Sequence, residues 1–355
     1  MNKNYQEELN DLLATVVREG ASDLHLSEGR HPTVRINGAL LPLVKKDVLA
    51  HEDIVGMLKC MIGEEKEALF VAAREFDFSY RFTPDARFRG NAFVQQANYS
   101  VALRFIPKQI KTITDLALPP VLENFAHKKQ GFFLVVGPVG QGKSTTLAAL
   151  IELINQERSE HIVTIEDPVE YVYDQKKSII DQREIGTDTE SFERALTAVL
   201  RQDVNVILLG EMRNHETMEA AVTAAETGHM VFSTLHTNNA AQTIDRIIDT
   251  FPSGQQDQIR VQLASSLSGI FSQRLIPRIS GGMIPAYELL IANNAVSNLI
   301  REKRSHEINT VIETGLQEGM IDMNRSLADL VRRGEITIEN AYQHSLNPKV
   351  LEKLL

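Results

Sequence analysis

Residues 137–144 read Gly137-Pro138-Val139-Gly140-Gln141-Gly142-Lys143-Ser144, which fits G-x-x-x-x-G-K-S. Glycines at this spacing let a backbone curl until its N–H groups converge on phosphate oxygens. A helix beginning at the lysine adds positive potential. The run GFFLVV before the loop predicts a strand, and the residues after it predict a helix over 143–156. In that frame Lys143 reaches the β and γ phosphates of ATP, Ser144 binds Mg²⁺, and Thr145 completes the ATP-binding stretch.

Three more apolar runs end in polar groups. HIVTIEDPVEY (161–171) carries Glu166, Asp167 and Glu170. VNVILLGEMRN (204–214) carries Glu211 just past Gly210. MVFSTLHTNNA (230–240) carries Thr234, His236 and Thr237. Open α/β sheets bind ligands at the C-terminal edge of their strands, so all four loops are expected on one edge. ATP hydrolysis needs a metal holder, a group that orients the attacking water and a contact to the γ-phosphate. One glutamate holds Mg²⁺, through a bound water, and the other polarises the nucleophile. The residues by themselves leave open which does which. His236 is the candidate γ-phosphate contact. Arg213 is read as a bridge between loops.

These loops must be positioned by two domains. The chain has 355 residues, 43% of them hydrophobic, enough for two modest cores. Apolar residues at Tyr5, Leu9, Leu12, Leu13, Val16 and Val17 predict a helix that stops near Gly20. Asn37-Gly38 inside TVRINGALLPL predicts a hairpin. Residues 76–82, 86–96 and 100–106 read as strands, giving a small α+β domain with a largely antiparallel sheet over 1–106. The Pro-flanked segment 107–120 reads as a linker. From Gly131 buried strands alternate with helices, including 190–202 and 215–227, as in a doubly wound, mostly parallel sheet. After about residue 240 the chain is expected to be mainly helical, apart from a strand near 283–292. The boundaries expected are an ATPase core over 121–290 and a helical region over 291–355.

The formal net charge of −10 argues against nucleic acid as a partner, since such binding calls for a basic face. The single cysteine, Cys60, excludes an internal disulfide and a four-cysteine zinc site. The N-terminus is too polar for a signal peptide, and no apolar run approaches the ~18 residues of a membrane span. A cytoplasmic protein is expected.

GPVGQGKST, TIEDPVEY, VILLGEMRN and STLHTNNA together resemble the secretion-type ATPases, and among them the type IV pilus retraction motors. ASDLHLSEG, TIDRIIDTFP and SQRLIPR extend the resemblance over nearly the whole chain. It implies a PAS-like N-terminal domain followed by a RecA-like P-loop ATPase domain with a helical C-terminal region. Glu166 becomes the catalytic glutamate, Glu211 the Mg²⁺-side residue and His236 the His-box histidine. The family offers arginines to a neighbour's ATP, and Arg89 and Arg104 stand on the matching strands, with Arg87 a competitor on the face of Arg89. A homohexamer at the inner-membrane pilus base, an inner-membrane platform partner and a paralogous retraction ATPase as a further partner are implied as well.

The compact start and the missing zinc insertion favour retraction over pilus assembly or type II secretion, and an accessory retraction ATPase is the nearest rival. A RecA-like DNA translocase would lack the His box. A silent ring subunit would not need an intact Lys143, Glu166 and Glu211. The chain departs from the family's usual residues at Val139, Gln141, Gly90 and Asn214. It departs again in AVSNLIRE (295–302), where Val296 and Ser297 replace Ile and Arg.

Overall fold

A computed structural model describes residues 4–36 and 38–355. The chain forms two compact units, one of Met1–Gln109 with Pro168–Val172, the other of Ile110–Asp167 with Tyr173–Leu355.

In the first unit, helix α1 (Tyr5–Arg18) buries Leu9, Leu12, Leu13 and Val16, as the spacing predicts, and the Asn4 side chain caps it. Helix α2 (His51–Ala73), broken at Gly63, packs beside it. Its buried Ile54, Met57, Leu58, Met61 and Ile62 repeat at helical spacing, a signal the sequence reading did not use. The helices cover a six-stranded sheet of β1 (Asp23–Ser27), β2 (Thr33–Ile36), β3 (Ala39–Pro42), β4 (Glu75–Thr83), β5 (Ala86–Gln95) and β6 (Asn98–Pro107). Its order is β3-β2-β1-β6-β5-β4 and every pair is antiparallel. The expected β2–β3 hairpin is present around Gly38. Asn37, the other half of that turn signal, lies outside the described residues.

Strand β5 alternates as a half-buried strand should, with Phe88, Gly90 and Ala92 inward and Arg87, Arg89 and Asn91 outward. Gly90 is a packing requirement. A Cβ there would stand 2.3 Å from the Phe78 ring across the β4–β5 pair.

The second unit holds a seven-stranded sheet of β7 (Gly131–Val136), β8 (His161–Glu166), β9 (Ile179–Glu184), β10 (Val206–Leu209), β11 (Met230–Leu235), β12 (Leu267–Pro277) and β13 (Met283–Ile291). The order is β13-β12-β7-β11-β10-β8-β9, parallel throughout except for β12–β13. Strands β8, β10 and β11 lie to one side of β7 and β12 to the other, so β7 marks the topological switch where such sheets bind ligands. The helices of this unit are α3 (Glu123–Ala126), α4 (Lys143–Glu157), α5 (Phe192–Val199), α6 (His215–Glu226), α7 (Ala240–Asp249) and α8 (Gln256–Ser266). They continue as α9 (Asn294–Arg301), α10 (Ile308–Thr314), α11 (Met323–Arg332), α12 (Ile338–His344) and α13 (Pro348–Leu354).

The sequence reading needs correction here. The stretch after residue 240 is not helical up to 283, because residues 267–277 form the long strand β12 beside β7. Its apolar residues Leu267, Ile270, Phe271, Leu275 and Ile276 fall at i, i+3, i+4, i+8 and i+9, which mimics a helix face. Much of the strand is buried on both faces, so no period-2 alternation was available to reveal it. Strand β9 was also not foreseen, and α5 is shorter than the expected 190–202.

Substituting Gly90→Val should destabilise the protein by about 1–3 kcal/mol through overpacking against Phe78. Urea unfolding checks this, and the double variant with Phe78→Leu should recover part of the loss.

Candidate nucleotide-binding site

The loop between β7 and α4 is built by close backbone approach. Gly137 has φ +146°, and a Cβ on it would stand 2.5 Å from the carbonyl oxygen of Gln273 on β12. Only glycine lets the loop leave β7 against that neighbouring strand. Gly140 and Gly142 are also left-handed, and α4 starts at Lys143 directly after Gly142.

Lys143 is buried. Its Nζ donates to the carbonyls of Gly137 (2.8 Å) and Pro138 (2.9 Å) and lies 3.3 Å from His236 Nδ1. An ammonium only donates, so Nδ1 must accept and the neutral ring carries its proton on Nε2. Nε2 lies 3.8 Å from Glu211 Oε2, and Glu211 Oε1 is paired with Arg213. Burial first, then the charge of Lys143, pull the His236 pKa below its ordinary 6.5, while Glu211 opposes the shift. The loop ends of β7, β10 and β11 thus meet through Lys143, His236 and Glu211, while Arg213, expected to bridge loops, pairs with Glu211 of its own loop.

The backbone ties these loop ends together. Gly210 N–H donates to Ile165 O (2.9 Å), and Thr234 Oγ1 donates to Gly210 O (2.7 Å). Glu166, at the end of β8, is buried and accepts from Thr164 Oγ1 at 2.7 Å and Gln182 Nε2 at 3.5 Å. Ser144, at the start of α4, and Val139 are exposed, while Pro138, Gln141 and Thr145 are half-buried.

Sequence reasoning missed Gln273. Its buried side chain accepts from Thr146 Oγ1 (2.7 Å) and donates to Gln141 O, so β12 grips both the loop and the first turn of α4. The only sequence signal was its place in SQRLIPR. Gln141, one of the departures, accepts from Leu275 N–H through its side chain (2.7 Å), which adds a further tie between loop and strand. Asn214 caps α6 and donates to Glu193 Oε1 (2.8 Å). Hydrogen bonds led by that from Asn214 depress the Glu193 pKa to about 2, and aspartate at 214 would set a second carboxylate against it. Ser297 donates to Ala264 O (2.7 Å), joining α9 to α8.

Arg89 and Arg104 belong to the first unit, directly opposed on β5 and β6. Arg89 Nη1 donates to Glu170 Oε1 (2.7 Å), Arg104 Nε to Asp23 Oδ1 (3.0 Å) and Arg87 Nε to Ser79 Oγ (2.7 Å).

The family model of the Type II/IV secretion system protein matches residues 2–344. The chain belongs to that family. Among Type II/IV secretion system proteins, it is 40% identical over 342 residues to the type IV pilus retraction ATPase PilT of Pseudomonas aeruginosa, covering 96% of this chain and 99% of that one. It is 43% identical over 317 residues to a twitching motility protein of Neisseria gonorrhoeae, covering 89% of this chain and 84% of the other. A crystal structure of the pilus retraction motor PilT with bound ADP superposes with a TM-score of 0.89 at 44% identity, over 97% of this chain and 98% of that one. The resemblance read from the four motifs and the α/β fold class are borne out over the whole family region.

The folded pKa of His236 lies below the unfolded 6.5, so between the two values the unfolded chain binds more protons. This histidine's contribution to stability is therefore complete above 6.5 and is lost as pH falls through its folded midpoint. An NMR titration of metal-free protein should place the His236 midpoint below 6.5, and Lys143→Ala should raise it. A midpoint at or above 6.5 contradicts the geometry given for the ring.

Proposed function

We propose that this protein is an ATP-hydrolysing motor that powers type IV pilus retraction. The observation that carries the reading is the convergence of Lys143, His236, Glu211 and the phosphate loop at one sheet edge. Likeness to PilT over nearly the full length of both chains supports the task.

The substrate is MgATP. The loop N–H groups and Lys143 bind its phosphates. Ser144 offers a hydroxyl and Glu211 a carboxylate, a sparse donor set that suits Mg²⁺ arriving with phosphates and keeping several waters. Among the described residues no cluster of three or more His, Cys, Asp or Glu stands ready to hold a metal, consistent with an ion that comes with its nucleotide. Glu166, nearly dry and held by Thr164, orients the attacking water and takes its proton. His236 contacts the γ-phosphate and links its presence to Glu211. Pro138, Val139, Gly140, Gln141 and Thr145 contribute as the wall of the nucleotide site.

The motor works as a homohexamer in which Arg89 and Arg104 reach a neighbour's ATP and stabilise charge on the transferring phosphoryl group. The linker 107–120 acts as hinge. The ring sits in the cytoplasm, peripheral to the inner membrane at the pilus base, and turns a platform protein there. Among the described residues no helix is long and apolar enough to cross a membrane. An accessory role beside a paralogous retraction ATPase is the second reading, favoured by Ser297, which bonds to α8 where the family's usual residue is arginine.

Lys143→Ala should abolish nucleotide binding. Glu166→Gln should keep binding and lower turnover by roughly 10²-fold or more. Calorimetry and a phosphate-release assay check both, and a Glu166→Gln variant that hydrolyses ATP normally removes the catalytic assignment. Deleting the gene should leave an excess of surface pili that no longer shorten. Bald cells would mean assembly, and normal pili would mean the accessory role.

A further inference from the structure

Glu288 on β13 is a buried carboxylate with no part in the mechanism above. Its Oε1 accepts the backbone N–H of Ala240, the first residue of α7, at 2.8 Å. Burial pushes its pKa up to about 7, against the opposing effect of that N–H and of Arg274, while Asp322 adds to the rise. A solvated side chain would not need such a position. The group is kept where it costs desolvation.

Its neighbours aim at the same short segment. Ser272 is the register partner of Glu288, and its Oγ donates to Asn238 O at 2.8 Å. Arg274, two residues along β12, places Nη2 3.3 Å from Asn238 Oδ1 and Nη1 3.4 Å from His344 O at the end of α12. Three side chains from one strand pair therefore hold residues 238–240, which directly follow His236 and Thr237. Gln273, between Ser272 and Arg274 and so on the opposite face of β12, holds the phosphate loop.

We propose that Glu288 and Arg274 are positioning residues, which hold the segment after His236 so that its ring stays between Lys143 and Glu211. The proposal rests on the reading of His236 as a γ-phosphate contact only for its effect on turnover. The anchoring itself does not depend on ATP. Through the bond of Arg274 to His344, the same anchor ties this segment to the C-terminal helices.

The test uses the full-length chain and three variants. Glu288→Gln keeps an oxygen acceptor for Ala240, Glu288→Leu removes it, and Asn238→Ala cuts the loop side of the Arg274 contact at an exposed position. In hydrogen exchange by mass spectrometry, Glu288→Leu and Asn238→Ala should speed exchange over residues 237–241 and leave β7 and β11 protected. In steady-state ATPase assays, Glu288→Leu should lower kcat roughly ten- to a hundredfold with KM changed less than about threefold, and Glu288→Gln should restore both. Unchanged exchange at 237–241 overturns the proposal, as does a rise shared equally by β7 and β11. If Glu288→Leu does not fold, Asn238→Ala decides by the same exchange criterion. A wild-type protein that hydrolyses no ATP would sink the functional reading and leave the exchange result to decide the anchor on its own.

Discussion

A cation taken out of water is the constraint around which the second unit is arranged. Lys143 is buried, and an ammonium without compensation there would cost several kcal/mol. Carbonyls of its own loop supply part of the compensation, which forces that loop to curl back on itself. The neutral face of His236 supplies another acceptor, and Glu211 stands on the far side of the ring. The site is thus prepared to receive negative charge. Its positive residue is held with few rotamers to lose, and the electrostatic effect of a phosphate is felt in a medium of low dielectric constant.

Strand β12 makes that arrangement rigid. It carries polar side chains into the core at Ser268, Ser272 and Gln273, which would be costly without partners. The partners found for Ser272 and Gln273 are the loops of the site, one on each face of the strand. A strand of purely apolar residues would have added more hydrophobic burial. It could not have specified where the two loop backbones come to rest. The same strand pair carries on into the C-terminal helices through the contacts of Arg274 to His344 and of Tyr287 N–H to Ser326 Oγ.

The first unit solves a different problem. One face of its antiparallel sheet is closed by helices and its outer face presents arginines. Arg87, Arg89 and Arg104 each have an acidic or hydroxyl partner within that unit. Departures from the family's usual residues are absorbed locally. Gly90 makes room for Phe78, and Asn214 meets Glu193 where an acidic residue would repel it.

Much was determined by the sequence itself, because local rules sufficed. The glycine spacing of the phosphate loop, the helix over 5–18, the alternation of β5 and the buried parallel strands β7, β8, β10 and β11 each follow from chemistry within a dozen residues. The four loop ends on one edge follow from the rule that parallel strands share a direction. Strand β12, the grip of Gln273 on the loop, and the ring of His236 between Lys143 and Glu211 required the tertiary structure. Their partners lie far away in the chain, and an apolar pattern in a strand buried on both faces reads equally well as a helix. Only folding decides which buried polar group meets which loop, since hydrogen bonds across such separations leave no periodic trace in the sequence.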